Sequence, residues 1–242
     1  MFIIAFFIAH WYLSLFSQTF FLHRYAAHAM FSMSKFWERF FFIFTFITQG
    51  SNYLSAYGYG VMHRLHHAFA DTEQDPHSPK YSRNIFDMMW KTAKLYTQIT
   101  YKKANIEERF TRNVPEWLKF DLFAGHILTR IAWTAGYVAI YYFLATAWWQ
   151  WLLLPITLIM APVHGAIINW FAHKVGYRKY EVNNTSTNFL PIDFLMMGES
   201  YHNNHHHNDR SPNFGERWHE LDPTYFIIKV LNRLGVIQLH KA

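Results

Sequence analysis

The sequence predicts an all-α integral membrane protein with about three membrane-spanning helices, one interfacial or re-entrant helix and a helical cytoplasmic cap. Three observations predict it. First, the apolar residues are concentrated: Met1 to Phe21 and Ile131 to His173 carry no Asp, Glu, Lys or Arg, although mean hydropathy over the whole chain is −0.06. Second, of 22 Lys and Arg residues only Arg130 falls inside a proposed span, that of residues 122–145, which is the positive-inside pattern and assigns the remaining segments to the cytoplasmic side. Third, aromatic residues make up 20% of the chain, with Trp148, Trp149 and Trp151 in the middle of the second apolar stretch. Tryptophan favours the membrane surface, so a hairpin emerges there.

Each element follows in order. Residues 2–21 form a first span. They lack a basic start and a small-residue cleavage site, so they do not read as a signal peptide. Residues 36–49 (FWERFFFIFTFITQ) are apolar for only about ten residues after Arg39, a length typical of interfacial, re-entrant or buried segments. Residues 131–173 would make a helix of roughly 64 Å, against a hydrocarbon core of about 30 Å. They therefore hold two crossings, residues 122–145 and 149–171. Pro155 and Pro162 kink the second, which is tolerated where neighbours satisfy the freed carbonyls. Residues 23–119 and 174–242 are polar and cytoplasmic, and the 242 residues form a single domain. The chain has no cysteine, which excludes disulfides, thiolate nucleophiles and cysteine-ligated metal centres. The net charge of +6 is not by itself a nucleic-acid signal.

Histidine is the unusual residue, with sixteen copies. Three clusters share one design: HRYAAH (His23, His28), HRLHH (His63, His66, His67) and HNNHH (His202, His205, His206). Positions i, i+3 and i+4 share one face of a helix, so the last two clusters each present three imidazoles together. Asn169 and His173, four apart, mark the exit of the third span. Nine imidazoles exceed what one ion takes, whereas two ions with four or five nitrogen ligands each would use them all. Imidazole suits iron, zinc, copper and nickel alike. Convergence constrains topology: a crossing at residues 36–49 would put His23 and His63 on opposite faces, so that segment must turn back. His10, His77, His126, His164, His207, His219 and His240 read as ordinary surface or core histidines, with His77 a lesser candidate for supporting the ligands. Glu199, Asp71 and Asp75 are candidates to orient the histidines.

HRYAAH, HRLHH and HNNHH, with NWFAHKVGY between the last two, resemble the histidine boxes of the membrane fatty acyl desaturases, most closely the stearoyl-CoA desaturase-like branch and its bacterial members. DTEQDPHSP and MGESYHNNHH also fit that branch, and the resemblance runs from Phe16 to about Leu239. It implies an oxygen-dependent enzyme of the bacterial inner membrane that inserts a cis double bond into a long-chain acyl group. It implies two iron ions held by His23, His28, His63, His66, His67, His173, His202, His205 and His206, with Asn169 reaching one iron through water, and O₂ as co-substrate. It further implies membrane lipid around the spans and an external electron donor, ferredoxin-like or a small haem protein with its reductase. The basic run of Lys91, Lys94, Lys102 and Lys103 is a candidate dock for that donor.

Two features depart from the family. Its members typically have a further span before the first box. The stretch before the second box, SAYGYGVM, is uncharged where animal acyl-CoA members carry groups for the CoA head, leaving an acyl-lipid or acyl-carrier-protein thioester open beside CoA. A hydroxylase of an alkane, sterol or carotenoid is the close alternative, and the contexts NWFAHKVGY and GESYHNNHH favour desaturation. A membrane metal carrier would place ligands along the spans near the midplane, and a zinc hydrolase has no use for nine ligands.

Overall fold

The computed structural model describes residues 1–240. α1 (Phe2–Phe16) runs on without interruption into a π-helical stretch (Ser17–Ala27). The joined 26-residue helix and α7 (Ile127–Leu144) are each long and apolar enough to cross a bilayer. The short strand β1 (Phe31–Met33) follows, then α2 (Lys35–Gln49), α3 (Ala56–Phe69), α4 (Ile85–Thr100), α5 (Glu108–Thr111) and α6 (Leu118–Ala124). After α7 come α8 (Leu154–Leu158) and α9 (Met160–Ala166), the latter extended by a π stretch (Ile167–Phe171). The C-terminal cap holds α10 (His202–His207), α11 (Pro223–Arg233) and β2 (Ile237–Leu239). β2 pairs antiparallel with β1, Phe31 opposite Leu239.

The third span is broken. Segments Trp148–Leu158 and Met160–Phe171 meet at 72°. Pro162 has no N–H to give the carbonyl four residues earlier, at Leu158. That carbonyl instead accepts from the Ser51 hydroxyl at 3.0 Å and from the Asn52 amide. A polar turn from another part of the chain thus supplies the bonds that lipid cannot.

α2 is the re-entrant element. Its 15 residues reach about 22 Å, short of the roughly 30 Å of hydrocarbon. Ser34 caps its start, Phe41, Phe42, Thr45 and Thr48 face the protein, and Phe36, Ile43 and Ile47 face outward. Gly50 ends it at φ 55°, where any Cβ would collide with the Tyr137 hydroxyl of α7. The chain then doubles back. The Gln49 side chain accepts from Leu54 N at 2.9 Å. Tyr53 and Ser55 donate to Asp121 of α6 at 2.6 and 3.0 Å. Arg130, the one basic residue inside a span expected from the sequence, is satisfied by the carbonyls of Ser51, Tyr53 and Gly125 at 3.0 to 3.3 Å. α3 therefore returns to the side from which α2 left and packs its histidines against the end of the first helix.

Candidate metal centre

Helix geometry explains the five-residue spacing of the first box. In α geometry five residues turn by about 500°, which would leave His23 and His28 roughly 140° apart. The Ser17–Ala27 stretch is π-helical, and His28 N donates to His23 O, five residues back, at 3.1 Å. The wider turn brings the two ring centroids to 5.0 Å. π stretches recur at functional sites, and the second one here carries Asn169 and leads to His173.

All nine box histidines converge, in two groups. His23, His28, His63, His67 and His205 form one; His66, His173, His202 and His206 form the other. Within each group every ring offers a nitrogen within 4.8 Å of the others. The second and third boxes are thus each divided between the groups. In each, the i, i+4 pair (His63 with His67, His202 with His206) stays together and the remaining histidine crosses to the other group. Nε2 atoms point at one another: His23 to His205 at 3.0 Å, His205 to His67 at 3.0 Å, His28 to His63 at 2.9 Å. In the second group His173 lies 3.1 Å from His202, and His202 lies 3.0 Å from His206.

Three of the outward nitrogens meet acids. His23 Nδ1 meets Glu199 at 2.7 Å, His66 Nδ1 meets Asp75 at 2.9 Å, and His173 Nδ1 bonds Thr185 at 3.2 Å with Asp71 at 3.6 Å. A carboxylate accepting from Nδ1–H selects the tautomer whose Nε2 lone pair faces inward, as metal ligation requires. Burial would raise Asp75, but His66 and the Asp71 amide outweigh it and hold its carboxyl down to about 2. Burial, then repulsion from neighbouring rings, holds His28, His63, His67, His202, His205 and His206 well below the ordinary imidazole range. These six rings are therefore neutral at pH 7, and a ring of inward lone pairs fits a divalent cation far better than it fits itself. Asp75→Asn keeps the size but not the charge of His66's partner. Metal affinity in a chelator competition is expected to fall by about 10-fold or more.

The asparagines of the third box are scaffold. Asn203 Oδ1 accepts from Lys179 N and Tyr180 N, both at 2.8 Å. Asn204 Nδ2 donates to Phe214 O and to Glu220, both at 2.9 Å. They fasten two cap loops to the helix that carries the histidines.

Asn169 hydrogen-bonds none of the box histidines directly. It stands on the wall of a small cavity that His23, His63 and His202 also line. A larger cavity of about 640 Å³ joins there, sharing Gln18, Tyr59, Met62, Gly165 and Asn169 with it and running between α3 and α4 past Trp90, Ala93 and Tyr96. Gln18, which belongs to no motif, and His164, expected to be an ordinary histidine, both face the small cavity. The remaining histidines are local: His126 accepts from Leu128 N at the start of α7, His207 stacks on Tyr180, and His240 bonds Ala29 O. His77 is the exception, its ring 4.3 Å from that of His66.

Spans, a re-entrant helix and paired histidine groups at the membrane exits define a membrane protein with a site suited to metal. The comparisons make the class specific. The family described as Fatty acid desaturase matches residues 1–229. Among similar proteins, the Delta-9 acyl-lipid desaturase 1 of Arabidopsis thaliana is 29% identical over 88% of this chain and 67% of its own length. The sn-1 stearoyl-lipid 9-desaturase of Synechocystis is 30% identical over 88% of this chain and 64% of its own. The Acyl-CoA C20 Delta5-desaturase of Anemone leveillei is 28% identical over 91% and 68%. The chain thus spans about two thirds of the length of these relatives. It belongs to the fatty acid desaturase family, a family of oxidoreductases.

Proposed function

We propose that the protein inserts a cis double bond into a long-chain acyl group, using O₂, two iron ions and electrons from an external donor. The observation that carries this is the meeting of two converging histidine groups with a mostly apolar cavity of small-molecule size. The nine histidines would hold the irons, with Asn169 reaching one through water. A pair of irons there would supply the oxidising power that an unactivated methylene demands. The chain's own residues do the rest. Tyr59, Met62, Ala93 and Tyr96 would hold the acyl tail and exclude water, and the junction of the two cavities at Gly165 and Asn169 would set the methylenes beside the histidines.

The basic residues support a cytoplasmic position for the site, in a bacterial inner membrane. For the electron donor, a cleft beside His28 and His67 is rimmed by Arg64, Arg109 and Arg210, which suits an acidic carrier. Of the lysines read as a dock, Lys91 and Lys102 are engaged by Asp87 and Glu116, each at 2.8 Å, as Arg109 of the cleft is by Glu107 at 2.9 Å, so both basic surfaces stay candidate docks. The uncharged stretch before the second box and two of the relatives' names favour an acyl lipid as carrier.

The test is expression in a host with iron and a redox system, followed by mass spectrometry of total fatty acids by lipid class, with His205→Ala as control. New monounsaturated chains absent from the control are expected. Hydroxylated chains would transfer the site to the hydroxylase reading, and a chain with no bound metal would sink both.

A further inference from the structure

His164 lies within a broken membrane span and is 1% exposed, yet neither of its ring nitrogens has a hydrogen-bond partner. The same holds for both nitrogens of His77, 3% exposed, and for Oε1 of Gln18. These three side chains, from three separate parts of the sequence, face the one small cavity between the histidine groups. Farther down α1, His10 Nδ1 and Ser14 Oγ are also buried without partners, so polar positions recur every four residues toward Gln18. Buried polar groups are almost always bonded, and in a lipid-embedded helix they have no bulk water to turn to. An ionisable residue inside a span marks a site by default.

The cavity is about 40 Å³, whereas one water needs about 10–15 Å³ of such space. A methylene or dioxygen would leave every one of these atoms unpartnered; water would pair them. We propose that this cavity is a buried water site in which Gln18, His77 and His164 hold water beside the histidine groups, and that this water relays to the reaction the solvent protons it consumes. The proposal rests on the desaturase reading for its second half only. For each double bond, two C–H bonds break on neighbouring methylenes and one C=C forms. Dioxygen takes those two hydrogens, two electrons from the external donor and two protons from solvent, leaving two waters. The acyl cavity is mostly apolar, whereas the small cavity that meets it at Gln18, Gly165 and Asn169 gathers the unpartnered polar atoms beside the histidines. His164 and His77 act here as positioning residues: each bonds water as a neutral ring without changing charge.

Radiolytic hydroxyl-radical labelling of the full iron-loaded chain in lipid nanodiscs reads bound internal water directly. Met196 lines the cavity and Met88 lies elsewhere, and both are 0% exposed. Labelling of Met196 well above Met88, lost in Gln18→Leu/His164→Leu, is expected. Met196 as silent as Met88 in the unaltered chain overturns the water site, whatever the activity. For the proton role, His164→Leu is expected to keep its iron, turn over about tenfold or more slower, and show a larger solvent deuterium isotope effect. His164→Gln, which still bonds water, should recover most of the rate. An unchanged isotope effect with no recovery by glutamine would reduce His164 to packing. If the unaltered chain makes no alkene despite bound iron, the desaturase reading fails, and labelling alone decides the water site.

Discussion

His202→Ala is expected to lower bound iron from two ions per chain to one and to abolish alkene formation, whereas His205→Ala is expected to abolish activity with much of its iron retained. The asymmetry comes from the ligand count. His202 belongs to the group of four, and its Nε2 is 3.1 Å from that of His173 and 3.0 Å from that of His206. Its loss leaves three imidazoles, one short of the usual complement of a closed site. His205 belongs to the group of five, so four donors remain without it. Both variants should lose more than about 100-fold in turnover, above the 10- to 100-fold that loss of a ligand's outer hydrogen-bond partner costs. Iron is counted by plasma emission spectroscopy on protein purified under identical conditions, and turnover by product analysis. Two irons and near-normal turnover in His202→Ala would show that the four-histidine group is not a metal site.

That division into five and four marks where the sequence stopped being readable. Helical spacing puts His63 beside His67 and His202 beside His206, and those pairs do stay together. Which pair shares an ion with which depends on how α3, α10 and the end of the first helix cross, and the crossing is set by residues far away in sequence. Glu199 and Arg24 are an example: they touch at 3.4 Å across 175 positions. The five-residue gap of the first box was visible, but its cause, a π-helical stretch, has no signature in composition. Topology was more legible, because convergence of His23 with His63 requires α2 to turn back, and their ring centroids lie 4.3 Å apart. The kink of the third span was also foreseen from its prolines, though not that Ser51 and Asn52 would take the carbonyl freed by Pro162. His164 was invisible as a site, since one histidine in an apolar run has no pattern. Only its placement opposite His77 and Gln18 distinguishes it.

Arg24→Met is expected to destabilise the protein by about 3–5 kcal/mol, the usual cost of breaking a buried ion pair from one side. Arg24 is fully buried beneath the cap. Its guanidinium donates to Asp222 at 2.6 Å, to Pro212 O at 3.2 Å and to Glu199 at 3.4 Å, and lies 3.9 Å from the centre of the Phe214 ring. Asp222 in turn accepts from Phe214 N and, as the cap of α11, from Tyr225 N, both at 3.0 Å. One cation thus joins the first box, the carboxylate that orients His23 and the helix that closes the cap. Methionine fills the volume but leaves two carboxylates buried without a counter-charge. Lysine restores a charge but not the planar fork that reaches both acids, so Arg24→Lys should recover only part of the loss.

The pH dependence has a definite sign. Burial already raises the Asp222 carboxyl, and Arg24 is what pulls it back. Without Arg24 it rises further, and a group whose folded pKa lies above its unfolded value favours the fold below that range and loses the benefit as pH rises through the folded pKa. The deficit of Arg24→Met should therefore be larger at pH 8 than near pH 5. Asp222→Asn in the same chain should recover stability and flatten the dependence. For a chain of this size the melting temperature in detergent should drop by roughly 6–20 °C. A melting temperature within a degree of the unaltered protein at both pH values would mean that the cap is held by its asparagine network and helix packing, with Arg24 contributing nothing net.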